Sequence, residues 1–272
     1  MPDSPDKFME FGHALLEIII AALNQNQIKI ETAKASSFVE RAYCLNAHKL
    51  LYCPMALGVV VFRNEKDLNH LKTISQYVNR PDSVDTGRFT IEGSRLFACL
   101  KPWASLKIIG RDGYRLLFRQ AQEATSTFRR ILEESGNFEI LNHPELFILA
   151  YRLVPKTIMD KLNEWEKRKK TTSDSIDRKK LTKNIQNVNK VLNNLNVLLQ
   201  KSIRQDDTTF VSRTILESTR YRPQKIVVLR AIFINPLLNN DILKEIVSTQ
   251  NKIALNLIDQ FEPIITEAIS LM

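Results

Sequence analysis

The run YCLNAHKLLYCP, residues 43–54, sets Asn46, His48 and Lys49 within an otherwise mostly apolar stretch. Burying such groups costs free energy unless something satisfies them. A lysine in apolar surroundings loses solvation of its ammonium form, its pKa drops, and the neutral amine becomes a nucleophile able to form a Schiff base with a carbonyl. A lone His-Lys pair is more often a surface lysine beside a core histidine, so the surrounding elements decide between the readings.

Those elements read as follows. FMEFGHALLEIIIAAL, residues 8–23, has helical apolar spacing. NQNQIKIETAKASS is a polar connector, and SFVERAYCLN and ALGVVVFRN are two short buried strands flanking the lysine. EKDLNHLKTISQYV returns to helix before the loop NRPDSVDTGR. From Ser94 to Glu134 the spacing predicts two helices with a turn at Gly110 to Gly113, closed by Gly136. NFEILN and LFILAYRLV predict strands of a small antiparallel sheet with His143-Pro144 at the turn. Residues 156–204 are helical and charged, TTFVSRTIL and KIVVLRAIFI are two more strands, and Asn235-Pro236 precedes a last helix from about Asn240 to Leu271. The order is that of an α/β or α+β protein.

Composition narrows the function classes. With 272 residues, 44% hydrophobic and 25% charged, the chain can build a real core. No apolar run reaches the roughly 20 residues of a membrane span, and acids near the N-terminus replace the basic region of a signal peptide. A cytoplasmic protein without membrane contact is expected. Cys44, Cys53 and Cys99 lack metal or disulfide spacing and read as buried thiols, so no metal is expected. The net charge of +9 is concentrated in residues 156–190, where eleven Lys/Arg face five Asp/Glu. Without a basic-aromatic or zinc-finger pattern, this reads as a solvated helix face rather than a nucleic-acid site.

The segment LNAHKLLYCPMALGVVVFRN resembles the lysine segment of the group II pyridoxal-phosphate-dependent amino-acid decarboxylases, where Asn-x-His-Lys lies between two strands. The resemblance continues through TGRFTIEGSRLFACLKPWASLKIIGRDGYRLLF, PELFILAYRLVP, and TTFVSRTIL with VVLRAIFINP, over roughly residues 37–270. It implies an α/β chain with part of the fold-type-I transferase architecture: a remnant of the large-domain sheet and an α+β small domain. The implied divisions are 1–33 (leading helix and connector), 34–90 (large-domain remnant with the lysine) and 91–272 (small domain). Carried over by position, Lys49 holds pyridoxal 5'-phosphate, with Asn46 and His48 near its phosphate. Tyr77 protonates the substrate carbon after carbon dioxide leaves, and Arg230 binds a substrate carboxylate, for which a guanidinium's paired N–H donors are suited. The activity implied is decarboxylation of an acidic amino acid such as aspartate or glutamate.

The family also uses an aspartate against the pyridine nitrogen and a stacking ring upstream of the lysine. Only Asp3, Asp6 and His13 are available among the residues before this motif. The opening helix resembles the family's N-terminal helix, so an internally shortened decarboxylase is expected, acting as a homodimer or with a partner chain that supplies the missing half. The alternative is a non-catalytic remnant or interaction protein that keeps the C-terminal domain.

Overall fold

The computed structural model describes residues 42–62, 64–69, 86–89, 96–144 and 146–270. The helix predicted over 8–23, most of the one predicted over 65–78, and most of the loop over 79–88 lie outside the described residues. The chain divides into two compact units, Met1–Arg119 and Gln120–Met272.

In the first unit, β1 (Ala42–Leu45) leads through Asn46 into a single helical turn, α1 (Ala47–Leu50), and the chain returns as β2 (Val59–Phe62). The strands pair antiparallel, with Ala42 opposite Phe62 and Leu45 opposite Val59. The strand pair around the lysine is where the apolar runs predicted it, but β2 is not buried: its residues are half-buried and Val60 is 52% exposed. Among the described residues this ribbon has no third strand, so Val59-Val60-Val61 finds no inner and outer face to divide between. A short helix, α2 (Glu65–Leu68), and a 3-10 turn, Thr86–Phe89, follow.

α3 runs from Leu100 to Ser135 and is broken at Gly110, whose φ of 67° and ψ of 176° are non-helical. That backbone region is essentially restricted to glycine. The predicted interruption is therefore real but one residue wide: Gly113 is helical, and a Cβ there would meet Ile109 Cγ2 at 2.8 Å. Gly136, at a φ of 74°, ends the helix.

The second unit carries β3 (Phe138–Ile140), β4 (Ile148–Leu153), α4 (Lys156–Thr171), α5 (Ser175–Asp206), β5 (Ser212–Leu216), β6 (Ile226–Ile232) and α6 (Asn240–Ser270). The sheet order is β3-β4-β6-β5 and every pairing is antiparallel. Pro155 stands as the N-cap of α4, and the Asp174 side chain accepts from the Ile176 N–H at 2.8 Å to start α5. Leu181, Ile185, Val188, Leu192, Leu195, Leu199 and Ile203 recur three or four residues apart, so α5 buries one stripe against α4, α6 and the sheet.

Side-chain amides fasten these helices to the strands. Asn196 accepts from the Leu153 N–H at 2.7 Å and donates to its carbonyl at 2.9 Å. Asn193 accepts from Val227, and Gln250 accepts from the Tyr151 hydroxyl at 2.7 Å. One buried ionic cluster completes this core. Arg152 donates to Glu139 at 2.7 Å and to Asn189 at 2.9 Å; Tyr221 and Arg220 donate to the other Glu139 oxygen at 2.8 and 2.6 Å. Both guanidinium carbons lie within 4.8 Å of the Tyr221 ring centroid.

No helix among the described residues is long and apolar enough to cross a membrane.

Candidate functional site

The turn that carries Lys49 has two unlike sides. Ala47 and Leu51, four residues apart, stack on one side and are fully buried. Lys49, two positions along, points the other way and is exposed. Its amine makes no hydrogen bond or ion pair among the described residues. The lysine thus stands on a buried base rather than within an apolar pocket, since the apolar residues around it turn inward.

Neighbouring groups fix that base. The Tyr114 hydroxyl donates to the Leu51 carbonyl at 2.9 Å, the buried Cys53 thiol lies 3.4 Å from Ser105 Oγ, and Lys101 donates to the Met55 carbonyl at 3.0 Å. All three partners lie on α3, so the first turns of that helix clamp the loop after the lysine. Burial raises the Tyr114 phenol from its usual 10.0 to about 12, which keeps it a donor. Cys99 is only half-buried, because it lies just ahead of α3 beside the exposed Leu96 and Phe97.

His48 is held by the backbone of Leu57: its Nδ1 lies 2.8 Å from the Leu57 carbonyl oxygen and 3.2 Å from the Leu57 nitrogen. Either tautomer has a partner there, which fixes the ring and leaves Nε2 without a partner among the described residues. Asn46 is exposed and makes no side-chain capping bond. The structure therefore groups Asn46, His48 and Lys49 on one turn. Tyr77 lies outside the described residues. Arg230 lies on β6 in the second unit.

Arg230 lines an open groove of about 570 Å³ on the second unit's sheet, together with Asn142, His143, Thr214 and Ser218. Strand register brings them there: Arg230 sits opposite Ala150 on β4 and Ser212 on β5. The Arg230 side chain has no hydrogen bond or ion pair among the described residues. No described Asp or Glu lines the groove. These contributions from Asn142, Thr214 and Ser218 are invisible in the sequence, because they converge only once β4, β5 and β6 are in register. His143 was legible only as a turn residue.

Comparison with known proteins finds a decarboxylase domain that includes the Lys49 turn. Residues 29–154 match the pyridoxal-dependent decarboxylase conserved domain. Over 210 residues the chain is 32% identical to aspartate 1-decarboxylase of Aliivibrio fischeri, covering 77% of this chain and 36% of that protein. Over 132 residues it is 26% identical to aromatic-L-amino-acid decarboxylase of Bacillus atrophaeus, covering 46% of this chain and 28% of that protein. The crystal structure of Catharanthus roseus tryptophan decarboxylase in complex with L-tryptophan superposes with a TM-score of 0.56 at 17% identity, over 80% of this chain and 39% of that one. The shared fold is that of a partial fold-type-I architecture. Residues 29–154 thus carry the conserved domain of the pyridoxal-dependent decarboxylases, and the chain spans about a third of the length of the curated relatives it matches.

The cofactor of that family presents an aldehyde and a phosphate. An exposed, unpaired lysine amine suits the first, and an imidazole held at Nδ1 with Nε2 open, next to an uncommitted asparagine, suits the second. At this end of the cofactor the residues fit.

Proposed function

We propose that this chain takes part in pyridoxal-phosphate-dependent removal of the α-carboxylate from an acidic amino acid, aspartate above others, in the cytoplasm. The observation that carries the reading is the unpaired Lys49 amine on a turn whose buried side is locked by Ala47, Leu51 and Tyr114, within the segment matched by the family model. Lys49 would hold the cofactor aldehyde, and Asn46 and His48 its phosphate. When bound, the cofactor supplies an electron-accepting ring for the pair left as carbon dioxide departs.

The remaining work belongs to side chains of the protein. Arg230 receives a substrate carboxylate, because a planar guanidinium can give two parallel donors to two oxygens. Tyr77 is assigned as the hydroxyl that delivers a proton to the substrate carbon. The aspartate-acting relative at 32% identity supports an acidic substrate, as does a groove whose described lining offers a cation and hydroxyls without an acid. A homodimer, or a partner chain contributing the aspartate and stacking ring of the full family pattern, is part of the proposal. Exposed Leu96, Phe97 and Ile108 in the first unit support association.

The test uses the purified full chain. Pyridoxal phosphate followed by borohydride should add one reduced pyridoxyl group at Lys49 by peptide mass, and Lys49→Ala should add none there. Carbon dioxide release from L-aspartate is then measured on the loaded protein. A chain that remains colourless and untrapped supports the interaction-protein reading instead.

A further inference from the structure

The groove on the second unit's sheet holds a second donor besides Arg230. Asn142 is spent on the strand next to it: its amide donates to the Ile148 carbonyl at 2.9 Å and its oxygen accepts from the Ala150 N–H at 2.7 Å. Leu141 also donates to the Ala150 carbonyl at 2.9 Å. These bonds, with Pro144 following, fix the backbone at His143. The His143 ring has a specified neighbour as well. Arg129 Nη1 lies 3.4 Å from His143 Nδ1, while Arg129 Nε donates to Glu133 at 2.8 Å. A guanidinium has donors only, so a hydrogen bond at this contact has Nδ1 as acceptor, and a neutral ring making it carries its hydrogen on Nε2.

We propose that His143 is a second recognition residue for the carboxylate taken by Arg230, donating from Nε2–H, and that Arg129 positions it by selecting that tautomer. The proposal rests on the acidic-substrate reading above and refines it. A cationic donor set stabilises whatever carboxylate it holds, which opposes loss of that carboxylate as carbon dioxide. His143 and Arg230 therefore serve the carboxylate that the product keeps, so the groove selects amino acids bearing a second carboxylate.

The experiment measures binding of succinate, as a dicarboxylate probe, to the full chain by calorimetry without cofactor, so its outcome does not depend on Lys49. Removing a hydrogen bond to a charged group with His143→Ala should weaken binding about tenfold. His143→Gln puts an amide donor where Nε2 was and should bind within about twofold of the parent, a rescue that a structural role would not produce. Nitrogen NMR of the parent should show hydrogen on Nε2 of His143, and Arg129→Gln should move the ring toward the other tautomer. Parent-like binding by His143→Ala, no rescue by glutamine, hydrogen on Nδ1, or no succinate binding by the parent would each overturn the proposal. Loss of borohydride trapping at Lys49 would instead count against the decarboxylase reading alone.

Discussion

At the scale of single residues, side chains away from the lysine do most to hold its turn in place. Burial pushes the Tyr114 phenol in the folded protein up to about 12, whereas an unfolded phenol ionises near 10.0. Folding stability linked to this group is fully present below pH 10.0 and is lost as pH rises toward 12, since the unfolded chain releases the proton first. Tyr114→Phe should lower stability by about 1 kcal/mol at neutral pH through the Leu51 carbonyl it abandons. It should also flatten the alkaline fall, which urea titrations across pH 9 to 12 would show. Glu139 is the second sensitive residue. Converting it to Gln leaves the fully buried Arg152 guanidinium without its counter-charge and should cost about 3–5 kcal/mol. A paired Glu139→Leu, Arg152→Met change should cost less in the same denaturation assay, because no uncompensated charge remains. The Asn-x-His-Lys spacing singled out Lys49 and its two neighbours in the sequence, and the structure sets the three on one turn. The clamp was not legible there, since Ser105 and Tyr114 reach the lysine loop across more than fifty positions.

At the scale of elements, apolar periodicity located the strands and long helices of the second unit well, because each buries a defined stripe or face there. It overstated burial for β2, where a valine run occurs in a two-stranded ribbon. Gly110 is the element-level position on which α3 depends. Its φ of 67° with ψ of 176° excludes side chains through the backbone alone, since a Cβ would meet nothing within 4 Å. Gly110→Ala should therefore destabilise by about 1–3 kcal/mol without any steric contact. Urea unfolding would measure this, and a D-alanine introduced by semisynthesis should restore most of the loss. The Asp174 cap of α5 offers a smaller case: Asp174→Ala should cost about 1 kcal/mol.

At the scale of the whole molecule, association is the main expectation. Sedimentation should give twice the chain mass, and charge substitutions at the exposed Leu96 and Ile108 should shift it toward the monomer while leaving Lys49 chemistry intact. The groove could not be read from the linear order, because Asn142, His143, Thr214, Ser218 and Arg230 come from separate elements and only sheet topology unites them. The amides that fasten helices to strands in the second unit have a different consequence. Asn193, Asn196 and Gln250 carry no net charge, so dissolved ions have no attraction there to screen. Replacing Asn193 or Asn196 by Ala should accordingly cost the same in urea unfolding at low and at high sodium chloride. These amide ties therefore hold helix to strand equally at any ionic strength, whereas a carboxylate held at the groove would feel it.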